Sequence, residues 1–468
     1  MALSVGLDTA VKALRAHQLA VDVAAHNIAN AHTPGFSRQR VLLRPVGLDG
    51  SDHFSRDALL GRAGMGVDAS DVHRIRDIFL DYQIRQSFGD HGQYQTRSGA
   101  LQRAEFVFND PNDEGLAAIF NSFWNTWQDV VNEPEGSPAR TSLVHAATTL
   151  TTRINRAYAE LDSQRKELDF QLSGMADKIN AASAEIAELN LKIKQVELNG
   201  DMANDLRDRR DLLMDDLAKL ANITYSEQED GQVNIYLGNH ELVVANDYRE
   251  VELAEHPDHD DMHHLVFKMD GMPLETTTGE LRGLYDARDQ DLPNVMAKLD
   301  ELAAQLITSI NTIHEDGYGL DNGTGREFFT GTGAADIALN ADLAANPDWI
   351  ATAANPDSPG DNSVALQIAN LQLGKTMAGG TQTFDDFYAN MVSVLGADVN
   401  RASGLARSAE QMNSHLDARR QAVSGVNIDE EVTNLAASQH AYNAAARVIT
   451  TIDQMLETLI NGTGVVGR

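Results

Sequence analysis

Between residues 256 and 264 the chain reads His256-Pro-Asp-His259-Asp-Asp-Met-His263-His264. His259 and His263 would share a face if the segment were helical, and three aspartates interleave. Imidazole and carboxylate donors for a borderline or hard divalent ion therefore stand close together. The proline and the strand-like pattern on both sides suit an exposed loop better. A second stretch, Asp321-Asn-Gly-Thr-Gly-Arg-Glu327, superficially resembles a calcium loop, but glycine holds the third ligand position and no bidentate Glu stands at position twelve. A turn is the expectation there. No Gly-x-Ser-x-Gly elbow, phosphate loop or His-Glu-x-x-His pair is present, and zero cysteines exclude a disulfide, a thiolate metal site and a cysteine nucleophile. With 69 acidic residues some carboxylate pair can always be nominated, so abundance does not argue for a hydrolase. The residues thus nominate no catalytic group, no metal site and no cofactor.

Attention shifts to the elements themselves. At 468 residues, 42% hydrophobic and 23% charged, the chain has the composition of a folded protein of about three domains. A formal charge of −32 argues against nucleic-acid binding. The first forty residues lack an apolar h-region and no stretch nears ~18 uninterrupted apolar residues, so neither a cleaved secretory signal nor membrane insertion is expected. The charge is unevenly placed. Residues 1–45 carry +3, residues 46–100 carry −2 and residues 401–468 carry −1, so the ends cancel and the whole excess lies in 101–400. Ends packed together in many copies would then avoid like-charge repulsion.

Those ends are patterned as amphipathic helices. Leu7, Val11, Leu14, Gln18, Val21, Ala25 and Ile28 recur at steps of four and three, the seam spacing of a coiled coil. The helix should stop at Asn27-Ile-Ala-Asn30-Ala-His-Thr-Pro34-Gly35-Phe36, where Asn tolerates a left-handed cap and Pro34 disfavours helix before it. Near the other end Ile428, Val432, Leu435, Gln439, Tyr442, Ala446 and Ile449 repeat the spacing, and Ile452, Leu456 and Leu459 continue it after a one-residue slip. The expected interface sets Leu7, Val11, Leu14, Val21 and Ile28 against Val432, Leu435, Tyr442, Ile449 and Leu456. The longest heptad run, Ile154 to Val196, is broken only by Arg165 and is expected inside an intramolecular bundle. Further helices are expected through 119–130, 206–220, 295–313 and 384–399. Asp205-Leu-Arg-Asp-Arg-Arg-Asp211 should be a solvated or ion-paired helix face. Strand patterns are confined to 222–285 and 38–75, and residues 317–362 read as a long irregular connection. The fold class is mainly α with a small β-rich domain and a central elongated helical bundle, with an unfilled coiled-coil seam at each end.

The segment Ala25-His-Asn27-Ile-Ala-Asn30-Ala-His-Thr-Pro34-Gly35-Phe36-Ser-Arg-Gln39 closely resembles the N-terminal signature of flagellar axial proteins, the rod, hook and hook-associated proteins. Val426-Asn-Ile-Asp-Glu-Glu-Val-Thr-Asn-Leu435, continued by Gln439, Tyr442 and Ala446, is similar to their C-terminal signature. The interior discriminates within the group. Phe123-Trp-Asn-Thr-Trp127-Gln-Asp129, Pro138-Ala-Arg140, Asn204-Asp-Leu-Arg-Asp-Arg-Arg-Asp211-Leu-Leu, Gly279-Glu-Leu-Arg-Gly-Leu284 and Ser424-Gly-Val-Asn427 look like the hook-associated protein 1 family, in its order and over nearly the whole chain. Phe36 departs from the common Tyr, and the outer segment is modest in length.

The resemblance implies a structural component of the bacterial flagellum at the hook-filament junction, exported by the flagellar type III apparatus and assembled through its terminal helices. Implied partners are further copies of itself, hook protein, a second hook-associated protein and a flagellar export chaperone. The implied architecture is one of discontinuous nested domains with the terminal helices paired as a coiled coil: 1–36 with 426–468 as the polymerisation core, 37–221 with 286–425 as the mainly helical bundle domain with a short β segment near 38–75, and 222–285 as the outer β-rich domain. The alternative within the group is a hook or distal rod protein. Readings of other classes are a metal-dependent hydrolase built around His259 and His263, and an acidic surface adhesin.

Overall fold

The computed structural model describes residues 2–46, 66–108, 115–198, 200–256 and 262–463. Its axis is the long heptad run, which lies within α4 (Ser137–Glu197), a helix of 61 residues and so about 90 Å long. Ile154, Leu161, Leu168, Leu172, Met175, Ile179, Ile186, Leu189 and Ile193 are all buried on it, within one hydrophobic core. Arg165, the polar interruption, donates from Nε to the Arg288 carbonyl at 3.1 Å, so the run packs within the chain. Around α4 stand α2 (Ile78–Phe108), α3 (Leu116–Asn132) and α5 (Asn204–Leu220), then α6 (Glu280–Tyr285), α7 (Leu292–Glu315), α9 (Ser363–Asn370) and α10 (Phe384–Ser424). Thr383 starts α10 with a reciprocal cap to Asp386.

Both strand regions form as expected. β1 (Gln39–Pro45) pairs antiparallel with β2 (Val67–Arg74), with a bulge between Leu42 and Leu43. A four-stranded meander holds β3 (Ile223–Glu227), β4 (Val233–Leu237), β5 (His240–Val244) and β6 (Asp247–Tyr248). Beside it β7 (Val251–Glu255) pairs with β8 (His263–Phe267), which runs into the Asp270-Gly271 turn. Val233, Ile235, Leu242, Leu265 and Phe267 belong to the same continuous core as the helices.

Residues 317–362 hold only the two-residue strands β9 (Phe329–Thr330) and β10 (Ala338–Leu339), the five-residue α8 (Ala341–Ala345) and a 3-10 turn. The segment is irregular, as its composition suggests, yet it is more than a connection. Phe328, Phe329, Ile337, Leu343 and Ile350 are buried in the core, and Trp127 stacks on Phe328 at 5.1 Å. Arg140, fully buried, donates to the carbonyls of Pro134 and Ile350 at 2.8 and 2.7 Å and to Thr352, and so holds the segment to α4. Asp321 is taken up by Arg326 at 2.6 and 3.0 Å, which makes the Asp321–Glu327 stretch an ion-paired turn.

His314 makes this body sensitive to acid. Its ring is 1% exposed, Nδ1 lies 2.7 Å from the Arg326 carbonyl and Nε2 accepts the Ala351 N–H at 2.9 Å. The contacts require the neutral tautomer with hydrogen on Nδ1, because a second ring N–H would face the Ala351 N–H. Burial pushes the imidazole down to about 4. An unfolded chain takes up this proton near ~6.5 while the folded one refuses it, so stability falls as pH drops from about 6.5 to 4, by about 3 kcal/mol. His314→Gln should flatten that part of the slope. Urea unfolding of both proteins at pH 7 and pH 4.5 tests it, and equal slopes would remove His314 as the cause.

Candidate functional site

The terminal helices α1 (Ala2–Ala29) and α11 (Ile428–Thr463) pack side by side, and neither contributes a residue to the main core. On α1 the buried positions are Ala10, Ala16, Ala24 and Asn27, and on α11 they are Glu431, Ala445 and Ile452. At Gly6 a Cβ would stand 3.4 Å from Ile452 Cδ1, so small residues let the two helices approach closely. Leu7, Val11, Leu14, Val21 and Ile28 flank this line and are half-buried, as are Leu435, Tyr442, Ile449 and Leu456. Val432 is 51% exposed, since the preceding Glu431 takes the inward position. The helix α11 also carries Val448, Met455, Leu459 and Ile460 on its solvent side, between 46% and 73% exposed. The pair is an incomplete coil: its narrow inner line is closed and its larger apolar residues remain partly wet.

What Glu431 reaches is the turn that ends α1. Asn27, 1% exposed, donates to Glu431 Oε2 at 2.9 Å and to the Gln39 carbonyl at 2.8 Å, and accepts the Gln39 N–H at 2.9 Å. It thereby substitutes for a missing strand partner at the entry to β1. Arg38 grips the other carboxylate oxygen of Glu431 at 2.7 Å and Glu430 at 2.9 Å. Asn30 caps α1 by donating to the His26 carbonyl at 3.1 Å and accepts from Thr33. Gly35 follows Pro34 with φ of 79°, and a Cβ there would lie 3.3 Å from Leu212, so both backbone and space favour glycine. Phe36 meets His26 edge-on at 5.4 Å. The Arg38 N–H bonds the Ser424 carbonyl at 2.8 Å and the Arg38 carbonyl accepts from Ile75 at 2.8 Å, so the chain segments leaving and entering the coil are tied together.

Beneath the turn, α5 presents Asp208, Asp211 and Asp215 at steps of three and four, hence on one face. Ser37 donates to Asp208 through both N–H and Oγ at 2.8 Å. Arg74 bridges Asp208 and Asp211 at 2.7 and 2.8 Å, Arg76 joins Asp211 to Asp81 at 2.8 and 2.9 Å, and Arg85 and Arg420 converge on Asp215 at 2.8 and 2.5 Å. Burial raises the Asp211 carboxyl, but Arg76, Arg74 and Arg85 together outweigh it and hold the group well below the ordinary range. At Asp208 burial wins over Arg74 and Ser37, and that carboxyl is raised. Behind them Arg210 donates to Asn190 and to the Gly231 carbonyl, and burial pushes it down to about 10.

The charged 205–211 segment is therefore ion-paired, as read from its alternation, and divided between two faces: Asp208 is 5% exposed and Arg210 1%, whereas the side chains of Asp205 and Arg209 are 64% and 51% exposed. Cap and turn chemistry, together with the family resemblance of the 25–39 stretch, brought out Asn27, Asn30, Pro34, Gly35 and Phe36. They missed Ser37, Arg38, Arg74, Arg76, Arg420 and Glu431, each of which has a partner here between 134 and 404 residues away. The one available signal was three arginines within residues 74–85 set against aspartates at 208, 211 and 215.

The histidine-rich stretch divides. His259 lies outside the described residues, whereas His263 bonds Asp169 through Nδ1 at 2.7 Å and His264 faces His256 edge-on at 5.4 Å. Among the described residues no group of three or more His, Cys, Asp or Glu is arranged to hold a metal, and no helix is long and apolar enough to cross a membrane.

Three family models match in chain order: Flagella basal body rod protein over residues 7–36, Flagellar hook-associated protein FlgK helical domain over 101–329, and Flagellar basal body rod FlgEFG protein C-terminal over 420–462. Flagellar hook-associated protein 1 of Bacillus subtilis is 31% identical, covering 99% of each chain. The Escherichia coli protein of that name is 25% identical over 97% of this chain and 99% of its own. The solved structure of the flagellar hook junction protein FlgK from Burkholderia pseudomallei shares the fold, with a TM-score of 0.65 at 15% identity over 73% of this chain and 100% of the other. Two terminal helices locked by an Asn27-Glu431-Arg38 joint to a helical body, with identity sustained from end to end, leave one conclusion: the chain belongs to the flagellar hook-associated protein 1 family.

Proposed function

We propose that this protein assembles through its terminal helices into the junction between flagellar hook and filament. It is a structural component of the flagellum and not an enzyme. The observation that carries the assembly mechanism is the incomplete coil, which stands apart from the main core with Leu14, Val21, Leu435 and Ile449 only half-buried. Completing the burial of each such residue stabilises by up to ~1.5–3 kcal/mol, which neighbouring copies would supply. Residues 1–100 and 401–468 together carry no net charge, which lets them crowd around one axis, and the excess negative charge of 101–400 stays outward. A non-isologous contact between copies propagates as an open helix. The joint transmits the direction of the coil to the body, so the stack of coils positions the outer domains. Hook protein below and a second hook-associated protein above are the neighbours that bound the zone, after export through the type III apparatus. Export requires a mobile form of the coil, and a cytosolic chaperone covers α11 until then.

Immunogold labelling of isolated flagella tests the placement. A narrow band between hook and filament is expected, and label along the whole hook would make the protein a hook or rod component.

A further inference from the structure

Two features near the joint lie outside the Asn27–Glu431 network. The first is the exposed side of β1. Leu42 and Leu43 are 39% and 42% exposed beside the bulge, and they are flanked by Arg40 and Arg44, both exposed and without an acidic partner among the described residues. The second is a shallow groove of about 450 Å³ between α1, β2 and the α4–α5 connection. Val23, Val72, Met202 and Leu206 line it, and Asp22 and Asp205 stand at its rim, Asp205 with its side chain 64% exposed. An apolar pair framed by cations thus exists on the same molecule as an apolar groove framed by anions.

The two cannot meet within one chain. Gln39 and Val72, the cross-strand partner of Val41, form part of the groove wall, and Leu43 stands two residues further along the paired strand, roughly 7 Å beyond Val41, where it cannot fold back. They can meet between copies, because donor and acceptor are different patches held apart on one paired ribbon. Such a contact is head-to-tail and repeats without closing.

We propose that the Leu42-Leu43 edge of β1 docks into the Val23-Val72-Met202-Leu206 groove of a second copy of this chain, with Arg40 and Arg44 facing Asp22 and Asp205. The inference rests on the self-assembly reading and assigns it a contact outside the terminal coil. Charge complementarity selects the occupant: an acidic partner would be repelled at the rim, and an identical chain already carries the matching arginines.

The chain has no native cysteine, so paired substitutions report the contact directly. Hook-basal bodies from cells making the full chain with Leu43→Cys and Met202→Cys should give, on oxidation, a ladder of dimers, trimers and higher species on non-reducing gels. Either substitution alone should give none. Arg40→Glu with Arg44→Glu should reduce the ladder about tenfold, and adding Asp22→Arg with Asp205→Arg in the same chain should restore it. Crosslinking by Leu43→Cys alone, or a ladder indifferent to the reversed charges, overturns the docking. If flagella carry the doubly substituted protein at the junction and no ladder forms, the docking fails while the assembly reading stands. If the protein is absent from flagella even without substitution, both fall.

Discussion

Leu435→Asp, and equally Leu14→Asp, leaves the body folded and removes the protein from the flagellum. Both side chains are half-buried along the coil and neither belongs to the main core, which runs from Ala100 to Ala402 without a residue of α1 or α11. A carboxylate introduced there gives up an apolar contribution of ~1.5–3 kcal/mol and must be desolvated whenever a neighbouring copy packs against it. That cost recurs in every copy, so the assembled state is penalised far more than the monomer. The expected readings are an unchanged cooperative melt of the purified monomer, no detectable junction protein on isolated hooks, and hooks without filaments. Loss of the melt in these variants would show that the coil and the body are one folding unit, contrary to the division drawn here.

The second large effect concerns the body. Asp211→Asn removes the charge that Arg74 and Arg76 share at 2.8 Å and that Arg85 approaches at 3.5 Å, and leaves cations in a site where Arg85 is 5% exposed. Breaking a buried ion-pair network from one side costs about 3–5 kcal/mol, so the urea midpoint should fall strongly. Asp205→Asn, with its side chain 64% exposed, should stay within about 0.5 kcal/mol of the parent. The pH dependence follows from the directions of the shifts. A depressed carboxyl at Asp211 contributes stability that is complete above the ordinary carboxylate range and is lost as pH falls below it, because the unfolded chain binds the proton first. The raised carboxyl at Asp208 has the opposite slope, since the folded state accepts the proton first. Acid unfolding of Asp211→Asn should therefore be shallower than that of the parent. A midpoint shift below about 1 kcal/mol would show that the arginines find other partners.

Much of the architecture was legible along the chain because helix and strand periodicities are local. The run from Ile154 to Val196 could hardly be anything but a long helix, and Val233, Ile235 and Leu237 could bury one face only as a strand. The turn at Asn27–Phe36 was equally legible, since proline and glycine constrain the backbone wherever they stand. The irregular 317–362 segment was recognised as irregular, but its place in the core was not: Phe328, Phe329 and Ile350 follow no helix or strand period to betray their burial.

The inner line of the coil shows where reading by period stops. Large residues at heptad spacing, Leu7 to Ile28, mark an apolar stripe, yet they are only half-buried beside the buried Ala10, Ala16 and Ala24, and Val432 faces water. The helix pair settles where small side chains allow the shortest approach and where Glu431 can satisfy Asn27 and Arg38, and neither condition is visible in one helix alone. By itself the amino-acid order determined which segments are helices and strands, where the turns fall and that both ends are apolar-striped, because each of these depends on neighbours within a few residues. Only the tertiary structure decided that Asp208, Asp211 and Asp215 are a buried hub, that Glu431 locks the coil to the body, and which stripe stays open. Those outcomes depend on charges and side chains that meet from positions more than a hundred residues apart, and their spacing along the chain carries no trace of the meeting.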